Sequence, residues 1–100
     1  MKITIIGDIV TVRGFGFIGI DGKVVYSAEE ARQELKLLLN SNNVGLILVA
    51  QSFATQLGTE FDEYKLRKHL PLVLDIPDSQ GAEAATSLQE LVQKSLGLKL

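Results

Sequence analysis

Short hydrophobic runs alternate with amphipathic segments along this chain, and the runs predict four strands. The sharpest run, VGLILVA, is apolar throughout and bounded by polar residues, which is typical of a strand buried on both faces of a parallel sheet. The predicted strands are residues 3–6, 23–26, 44–50 and 72–76. Asp21-Gly22 is a favourable turn pair before the second strand, and Pro71 and Pro77 bound the fourth.

Three other segments predict helices, because their apolar residues recur at helical spacing. The first opens at a capping box, residues 27–30, and carries Ala28, Ala31, Leu35, Leu38 and Leu39. The second carries Phe53, Leu57, Phe61 and Tyr64. Gly58 can interrupt it, and Thr59 can then cap its second half. The third opens at Ser87, closes at Gly97 and carries Leu88, Leu91, Val92 and Leu96.

Residues 9–18 (IVTVRGFGFI) fit two kinds of element. Their β-branched, partly alternating composition favours a strand and hairpin. Asp8, a good helix N-cap residue, favours a helix instead. In either case strands alternate with helices, which predicts an α/β domain with a parallel sheet and right-handed crossovers. Residues 78–86 are small and polar, so they predict a hinge before the last helix.

The bulk composition restricts the classes of function. A chain of 100 residues, 46% hydrophobic and 22% charged, corresponds to one ordinary soluble domain. It has no cysteine, which excludes disulfides, thiol catalysis and thiolate metal sites. A net charge of −2 argues against nucleic-acid binding driven by counterion release. No apolar run approaches the roughly 20 residues that span a bilayer. The opening MKITIIGD is too short for a signal peptide, so we expect membrane attachment only through a partner.

The segment GFGFIG, residues 14–19, has the G-x-G-x-x-G spacing of the dinucleotide-binding fingerprint, but its context is wrong. The fingerprint places its glycines in the tight turn between the first strand and a helix N-terminus. Here the first strand ends at Gly7, well before Gly14, and no helical pattern follows Gly19. We therefore expect no nucleotide cofactor. We expect these glycines to end or bend a helix and to permit close packing.

Asp8 also suggests a phospho-acceptor receiver domain, whose chemistry needs several acids around Mg²⁺ at the carboxyl ends of strands. The third predicted strand ends in Ala50-Gln51, so the acceptor position has no carboxylate, and we expect Asp8 to cap a helix. His69 lacks the companion ligands of a common zinc site, and we expect it to be solvated near a helix end. The sequence thus predicts no catalytic residue, no cofactor site and no metal site.

Basic residues cluster near the end of the second predicted helix, and they are Lys65, Arg67 and Lys68. Cations at this end of a helix interact favourably with its macrodipole. Two interpretations stay open: a solvated helix end, or a contact surface for an acidic partner.

The order of segments is more informative than any single site. MKITIIGDIVTVRGFGFIGI, SAEEARQELKLLL, VGLILVAQSFA, LPLVLDIPDSQG and LQELVQKSLGLKL together resemble the F subunit of the rotary V-type and A-type ATPases. The most specific pieces are the opening I-G-D-x-x-T-V-x-G-F, the P-x-x-L-x-I-P strand and the ending S-L-G-L-K-L. The resemblance runs through the whole chain.

This resemblance implies a fold: a four-stranded parallel sheet in the order 2-1-3-4, flanked by helices and similar to a receiver domain. It places that domain at residues 1–78, and a hinge with a mobile C-terminal helical arm at residues 79–100. It also favours the helix over the strand for residues 9–18.

The resemblance further implies a non-catalytic, cofactor-free subunit of the central stalk of a rotary ATPase. The implied partners are the coiled-coil shaft subunit, known as the D subunit, and the catalytic head subunits, reached through the C-terminal helix. A membrane-side stalk subunit is a further candidate partner. The protein would be cytoplasmic and peripheral to the membrane, and it would help couple ATP hydrolysis or synthesis to proton or sodium transport. The alternative is a free-standing receiver-like adaptor without a phosphorylation site.

The residues expected to contact partners lie in three places: the turn after the third strand, the basic cluster and the C-terminal stripe. They are Gln51, Phe53, Lys65, Arg67, Lys68, Leu88, Leu91, Val92 and Leu96. Gln51 stands at a turn that commonly bears a glutamate in the family, and Asp78 stands where the family usually has serine.

Overall fold

A computed structural model of the chain describes residues 1–78. Its elements are β1 (Lys2–Gly7), α1 (Ile9–Gly16), β2 (Asp21–Val24), α2 (Ala28–Leu39), β3 (Val44–Ala50), α3 (Gln51–Leu57), α4 (Thr59–Lys65) and β4 (Leu72–Ile76). The four strands form one parallel sheet in the order β2-β1-β3-β4. The α/β fold with strand order 2-1-3-4 is confirmed. The hinge and helix expected at residues 79–100 lie outside the described residues.

One face of the sheet is covered by α2, α3 and α4, and it holds the larger part of the core. Successive residues of a strand point to opposite faces. Ile47, Val49 and Val73 point to this face and are at most 2% exposed. The helices add side chains from their predicted apolar stripes, and these are Ala31, Leu35, Phe53, Leu57 and Phe61. Helical spacing therefore identified the core-facing sides of these helices.

The opposite face is packed by α1, which lies over β1 and β2. Phe15 of α1 forms a second, smaller cluster with Ile5, Leu48 and Ile76. The central strand β3 is thus buried on both faces, with only Leu46 partly exposed, as its uninterrupted apolar sequence predicted.

The segment that fitted both strand and helix is the helix α1. The Asp8 side chain caps it, because Oδ2 accepts hydrogen bonds from the backbone N–H groups of Val10 and Thr11 at 3.2 and 3.3 Å. Thr11 and Phe15, one turn apart, are buried against the sheet. Helix propensities of ordinary residues differ by less than about 1 kcal/mol, so a cap and two buried side chains outweigh the β-branched composition.

The predicted position of β2 was wrong by two residues. The strand begins at Asp21, so Asp21-Gly22 is paired with Thr4-Ile5 of β1 and is not a turn. A Cβ atom on Gly22 would lie 2.6 Å from Val12 Cγ1 and 2.7 Å from Ile5 Cγ2. Glycine is therefore required here because α1 approaches the strand closely. The rule that an Asp-Gly pair forms a turn does not consider such a contact with another element.

The break in the second predicted helix falls at Gly58, as expected. Its φ of +61° is in the left-handed region that favours glycine, and it separates α3 from α4. Thr59 does not cap α4, contrary to expectation, because it is already the first helical residue and the N-cap is Gly58. Ser27 is the N-cap of α2, as the capping-box pattern predicted, since Glu30 N–H donates to Ser27 Oγ at 3.1 Å.

A pair of alanine substitutions tests the close approach at Gly22. We expect Gly22→Ala to lower the free energy of unfolding by about 1–3 kcal/mol, because the new methyl group would overpack the contact between α1 and β2. Gly14→Ala is the matched control within α1, where a Cβ has no neighbour within 4 Å. We expect it to raise the free energy of unfolding by about 0.5–1 kcal/mol through helix propensity. Urea unfolding measures both, and a neutral Gly22→Ala would contradict the tight packing.

Candidate functional site

The carboxyl edge of the sheet is where α/β proteins with open sheets bind their ligands, and two aspartates lie there. Asp8 follows β1 and Asp78 lies beyond β4. The Asp8 carboxylate holds the N-terminus of α1, and its Oδ1 also accepts a hydrogen bond from Thr11 Oγ1 at 2.5 Å. This aspartate therefore acts as the predicted helix cap.

Asp78 has a role that the sequence did not predict. It is 8% exposed, and its Oδ2 accepts a hydrogen bond from the backbone N–H of Ser52 at 2.8 Å. Ser52 lies in the first turn of α3, whose own N-cap, Ala50, has no side chain that can cap. A carboxylate is favourable at a helix N-terminus, so Asp78 ties the end of β4 to the start of α3.

The position of a phospho-acceptor in a receiver domain is occupied by the junction of β3 and α3. Ala50 ends the strand fully buried, and Gln51 begins the helix with an exposed side chain. The aspartates on either side of this junction serve helix N-termini. Within residues 1–78, no group of three histidine, aspartate or glutamate residues could hold a metal ion.

The glycines of GFGFIG lie in and after α1, away from the turn that would bind a phosphate. Gly14 and Gly16 are helical residues, and Gly19, with φ of +84°, lies in the turn before β2. The prediction that they end the helix is confirmed, because α1 ends at Gly16. The prediction of close packing was wrong, since a Cβ at any of the three would have no neighbour within 4 Å.

The basic cluster is partly engaged within the domain. Lys65 Nζ lies 2.9 Å from Asp75 Oδ1 of β4, and this hydrogen bond raises the pKa of Lys65 and lowers that of Asp75. Arg67 Nε donates to the carbonyl oxygen of Pro71 at 3.1 Å. Lys68 and His69 are exposed. Lys65 and Arg67, both predicted to contact a partner, therefore help attach the end of α4 and the residues after it to β4 and to Pro71 before it. Lys68 presents its side chain to solvent.

A second polar network holds α4 against α2. Arg32 Nε lies 3.0 Å from both carboxylate oxygens of Glu60, and the guanidinium also pairs with Glu29. The Glu60 hydrogen bond raises the pKa of Arg32. Tyr64 OH donates to the same carboxylate at 3.4 Å, and the pKa of Tyr64 is raised, first by burial and then by the charge of Glu60.

The remaining predicted contact residues divide into three groups. Gln51 is exposed, whereas Phe53 is 9% exposed and packs in the main core, so its side chain is turned away from the surface. Leu88, Leu91, Val92 and Leu96 lie outside the described residues. Among residues 1–78, no helix is long and apolar enough to cross a membrane.

Comparison with known proteins finds the same family by a family model and by individual relatives. The family model described as "ATP synthase (F/14-kDa) subunit" matches residues 3–92. The F subunit of the A-type ATP synthase of Pyrococcus furiosus is 34% identical over an alignment that covers all of this chain and 98% of that protein. Its counterpart in Pyrococcus abyssi is 32% identical with the same coverage. The F subunit of the V-type ATP synthase of Fusobacterium nucleatum is 29% identical, covering 99% of this chain and 94% of that protein.

The cap supplied by Asp78 can be tested by substitution. Asp78→Ala removes the acceptor for Ser52 N–H, and we expect the free energy of unfolding to fall by about 0.5–2 kcal/mol. Asp78→Asn keeps an acceptor but loses the charge, so we expect a smaller loss. Glu63→Ala, an exposed acid on α4, is the control and should change the free energy of unfolding by less than about 0.5 kcal/mol. An equal effect of Asp78→Ala and Glu63→Ala in urea unfolding would refute the cap.

Proposed function

This chain belongs to the family of ATP synthase F/14-kDa subunits, and on that premise we propose that it is a non-catalytic component of the central stalk of an A-type or V-type rotary ATPase. It binds the coiled-coil shaft, the D subunit, and turns with it. In doing so it helps couple ATP hydrolysis or synthesis to proton or sodium transport. The observation that carries the proposal is the match of the entire chain to relatives named as the F subunit of such a complex.

The chemistry of the sheet edge supports a binding role over a catalytic one. In an α/β enzyme, side chains at the carboxyl ends of the strands reach the ligand. Here Asp8 and Asp78 are hydrogen-bonded to the N-terminal turns of α1 and α3, where they stabilise the domain. Function in such a domain resides on its outer surfaces. The complex lies at the membrane, and this protein is its cytoplasmic, peripheral part.

The surfaces we assign to partners follow from the exposed residues. Lys68, beyond the end of α4, offers a cation to an acidic patch on the shaft, and Gln51 offers an amide at the start of α3. The stripe Leu88, Leu91, Val92 and Leu96 serves the catalytic head subunits. A membrane-side stalk subunit is a further partner of the same assembly.

Co-elution tests the shaft assignment directly. Mixed at micromolar concentrations with the coiled-coil central-stalk subunit of the same organism, the chain should elute in size-exclusion chromatography as a one-to-one complex. Separate elution of the two proteins would contradict the central-stalk proposal. It would favour the alternative, a free-standing receiver-like adaptor, which the strand order by itself also fits.

Charge reversal tests the surface separately from the function. We expect Lys68→Glu to weaken shaft binding severalfold, more at low than at high ionic strength, because exposed interfacial charges act mainly through long-range attraction. Lys36→Glu is the matched control, an exposed lysine on α2 with the same change in net charge. Equal effects of the two variants would remove Lys68 from the interface and leave the co-elution result unaffected.

The absence of catalysis is a separate prediction. The isolated chain should neither hydrolyse ATP nor become phosphorylated by acetyl phosphate, because the carboxylate a receiver uses is replaced by the Ala50-Gln51 junction. Phosphate release and intact-protein mass spectrometry measure the two activities. Stoichiometric phosphorylation of Asp8 would overturn the non-catalytic assignment.

A further inference from the structure

A cavity of about 390 Å³ lies at the edge of the sheet where the strands begin, opposite to the edge that holds Asp8 and Asp78. It is enclosed by residues of β1 and β2, by the end of α2 and by the residues that connect α2 to β3. Its volume is in the range of sites that bind small molecules. The polar residues that line it are Lys2, Thr4, Asp21, Lys23, Ser41 and Asn43.

Thr4 is a buried polar residue whose side chain has no hydrogen-bond partner among residues 1–78. It is 5% exposed and points to the α2 face of the sheet, as does Ile6, two residues further along β1. Thr11 and Asp78, the other buried polar residues of the described chain, both form side-chain hydrogen bonds.

The Thr4 hydroxyl is therefore accessible from the cavity. Within residues 1–78, every side-chain oxygen or nitrogen that is completely enclosed has a partner. An oxygen without a partner must then be reached from outside, and the cavity that Thr4 lines provides the access. Because buried hydroxyl groups nearly always have a hydrogen-bond partner, this one indicates a place for a ligand atom.

The charges around Thr4 favour an anionic ligand. Two lysines, Lys2 and Lys23, line the cavity, and within residues 1–78 Asp21 is the one carboxylate that does so. Lys2 Nζ lies 3.7 Å from Asp21 Oδ2, but both side chains are more than half exposed, so this pair contributes little stability and can rearrange. Lys23 forms no ion pair among the described residues. The site thus has one positive charge in excess.

Neutral hydrogen-bond donors complete the polar surface of the cavity. Ser41 Oγ accepts the backbone N–H of Asn43 at 3.3 Å, which leaves the Ser41 hydroxyl proton available to a ligand. The exposed Asn43 side chain adds an amide donor, and the Thr4 hydroxyl adds another donor. A phosphate group carries up to two negative charges and three acceptor oxygens, so it matches two ammonium groups and several donors better than one carboxylate does.

We propose that this cavity binds a small phosphate monoester. Its phosphate oxygens accept hydrogen bonds from the ammonium groups of Lys2 and Lys23, and the Thr4 hydroxyl donates to the bound ligand. Leu38, from the last turn of α2, provides an apolar wall for the remainder of the ligand. The inference goes beyond the proposed function and does not depend on it. A ligand in this position connects α2 with β1 and β2, so its binding stabilises the folded domain.

Titration of the wild-type full chain tests the site without any substitution. With glycerol 3-phosphate at constant ionic strength, we expect saturable changes of the amide chemical shifts at Thr4, residues 21–23 and residues 41–44, at millimolar concentration or below. Glycerol should cause none of these changes, and inorganic phosphate should cause them with lower affinity. Shifts that do not saturate, or that are equally large at Lys68, would overturn the proposal. Equal affinity for inorganic phosphate would overturn the assignment of a monoester and identify the free ion as the ligand.

Substitution of Thr4 separates binding from stability. We expect Thr4→Val to weaken binding of glycerol 3-phosphate about tenfold, because a hydrogen bond from the hydroxyl to a charged group is lost. The free energy of unfolding should not fall, since this hydroxyl has no partner among residues 1–78. Thr4→Ser keeps the hydroxyl and should retain most of the affinity. Isothermal titration calorimetry and urea unfolding measure the two effects. Unchanged affinity in a cooperatively folded Thr4→Val variant would overturn the proposal.

Charge substitutions test the sign of the ligand's charge. We expect Lys23→Gln to weaken binding severalfold, and Asp21→Asn to strengthen it, because the carboxylate repels an anion and competes for Lys2. Lys36→Gln is the matched control, an exposed lysine of α2 that does not line the cavity. Weaker binding by Asp21→Asn would overturn the proposal, and so would equal effects of Lys23→Gln and Lys36→Gln.

Discussion

The burial of β3 on both faces is the constraint on which the rest of the structure depends. A strand that is apolar at every position needs a packed layer above and below it. Its neighbours β1 and β4 are parallel to it, and parallel neighbours require crossover connections, which the helices supply. Right-handed crossovers that run in opposite directions across a sheet lie on opposite faces of it. The connection from β1 to β2 therefore lies on one face, and the connections from β2 to β3 and from β3 to β4 lie on the other. Among residues 1–78, this places α1 by itself on the second face, over β1 and β2, and Leu72 and Leu74 of β4 are exposed on that side.

The same topology explains how the polar edge of the sheet is used. The chain reverses its direction across the sheet at β1, the point where many α/β proteins bind a ligand. In this domain the carboxylates there stabilise helix N-termini: Asp8 for α1, and Asp78, from beyond a different strand, for α3. An arrangement that commits these groups to structure suits a protein whose proposed role is carried by its outer surfaces and its C-terminal segment.

Two elements show where local sequence rules reach their limit. For α1, residue propensity favoured a strand and the N-cap at Asp8 favoured a helix. The segment is a helix because Thr11 and Phe15 are then buried against the sheet. For β2, the pair Asp21-Gly22 has the composition of a turn, yet Gly22 lies within the strand under Val12 of α1. In both places the decisive contact is with another element of the fold. A rule based on neighbouring residues in the sequence could therefore not include it.

The sequence by itself determined the α/β class, the central buried strand, the capped start of α2 and the break at Gly58, because each depends on neighbours within a few positions or on an apolar run. It also carried the family, since the order of segments is a property of the whole chain. Only the tertiary structure decided that Lys65 pairs with Asp75 and that Asp78 caps α3. These contacts join residues of different elements. The Asp78–Ser52 bond spans 26 positions, and such pairs become neighbours only when the sheet has formed.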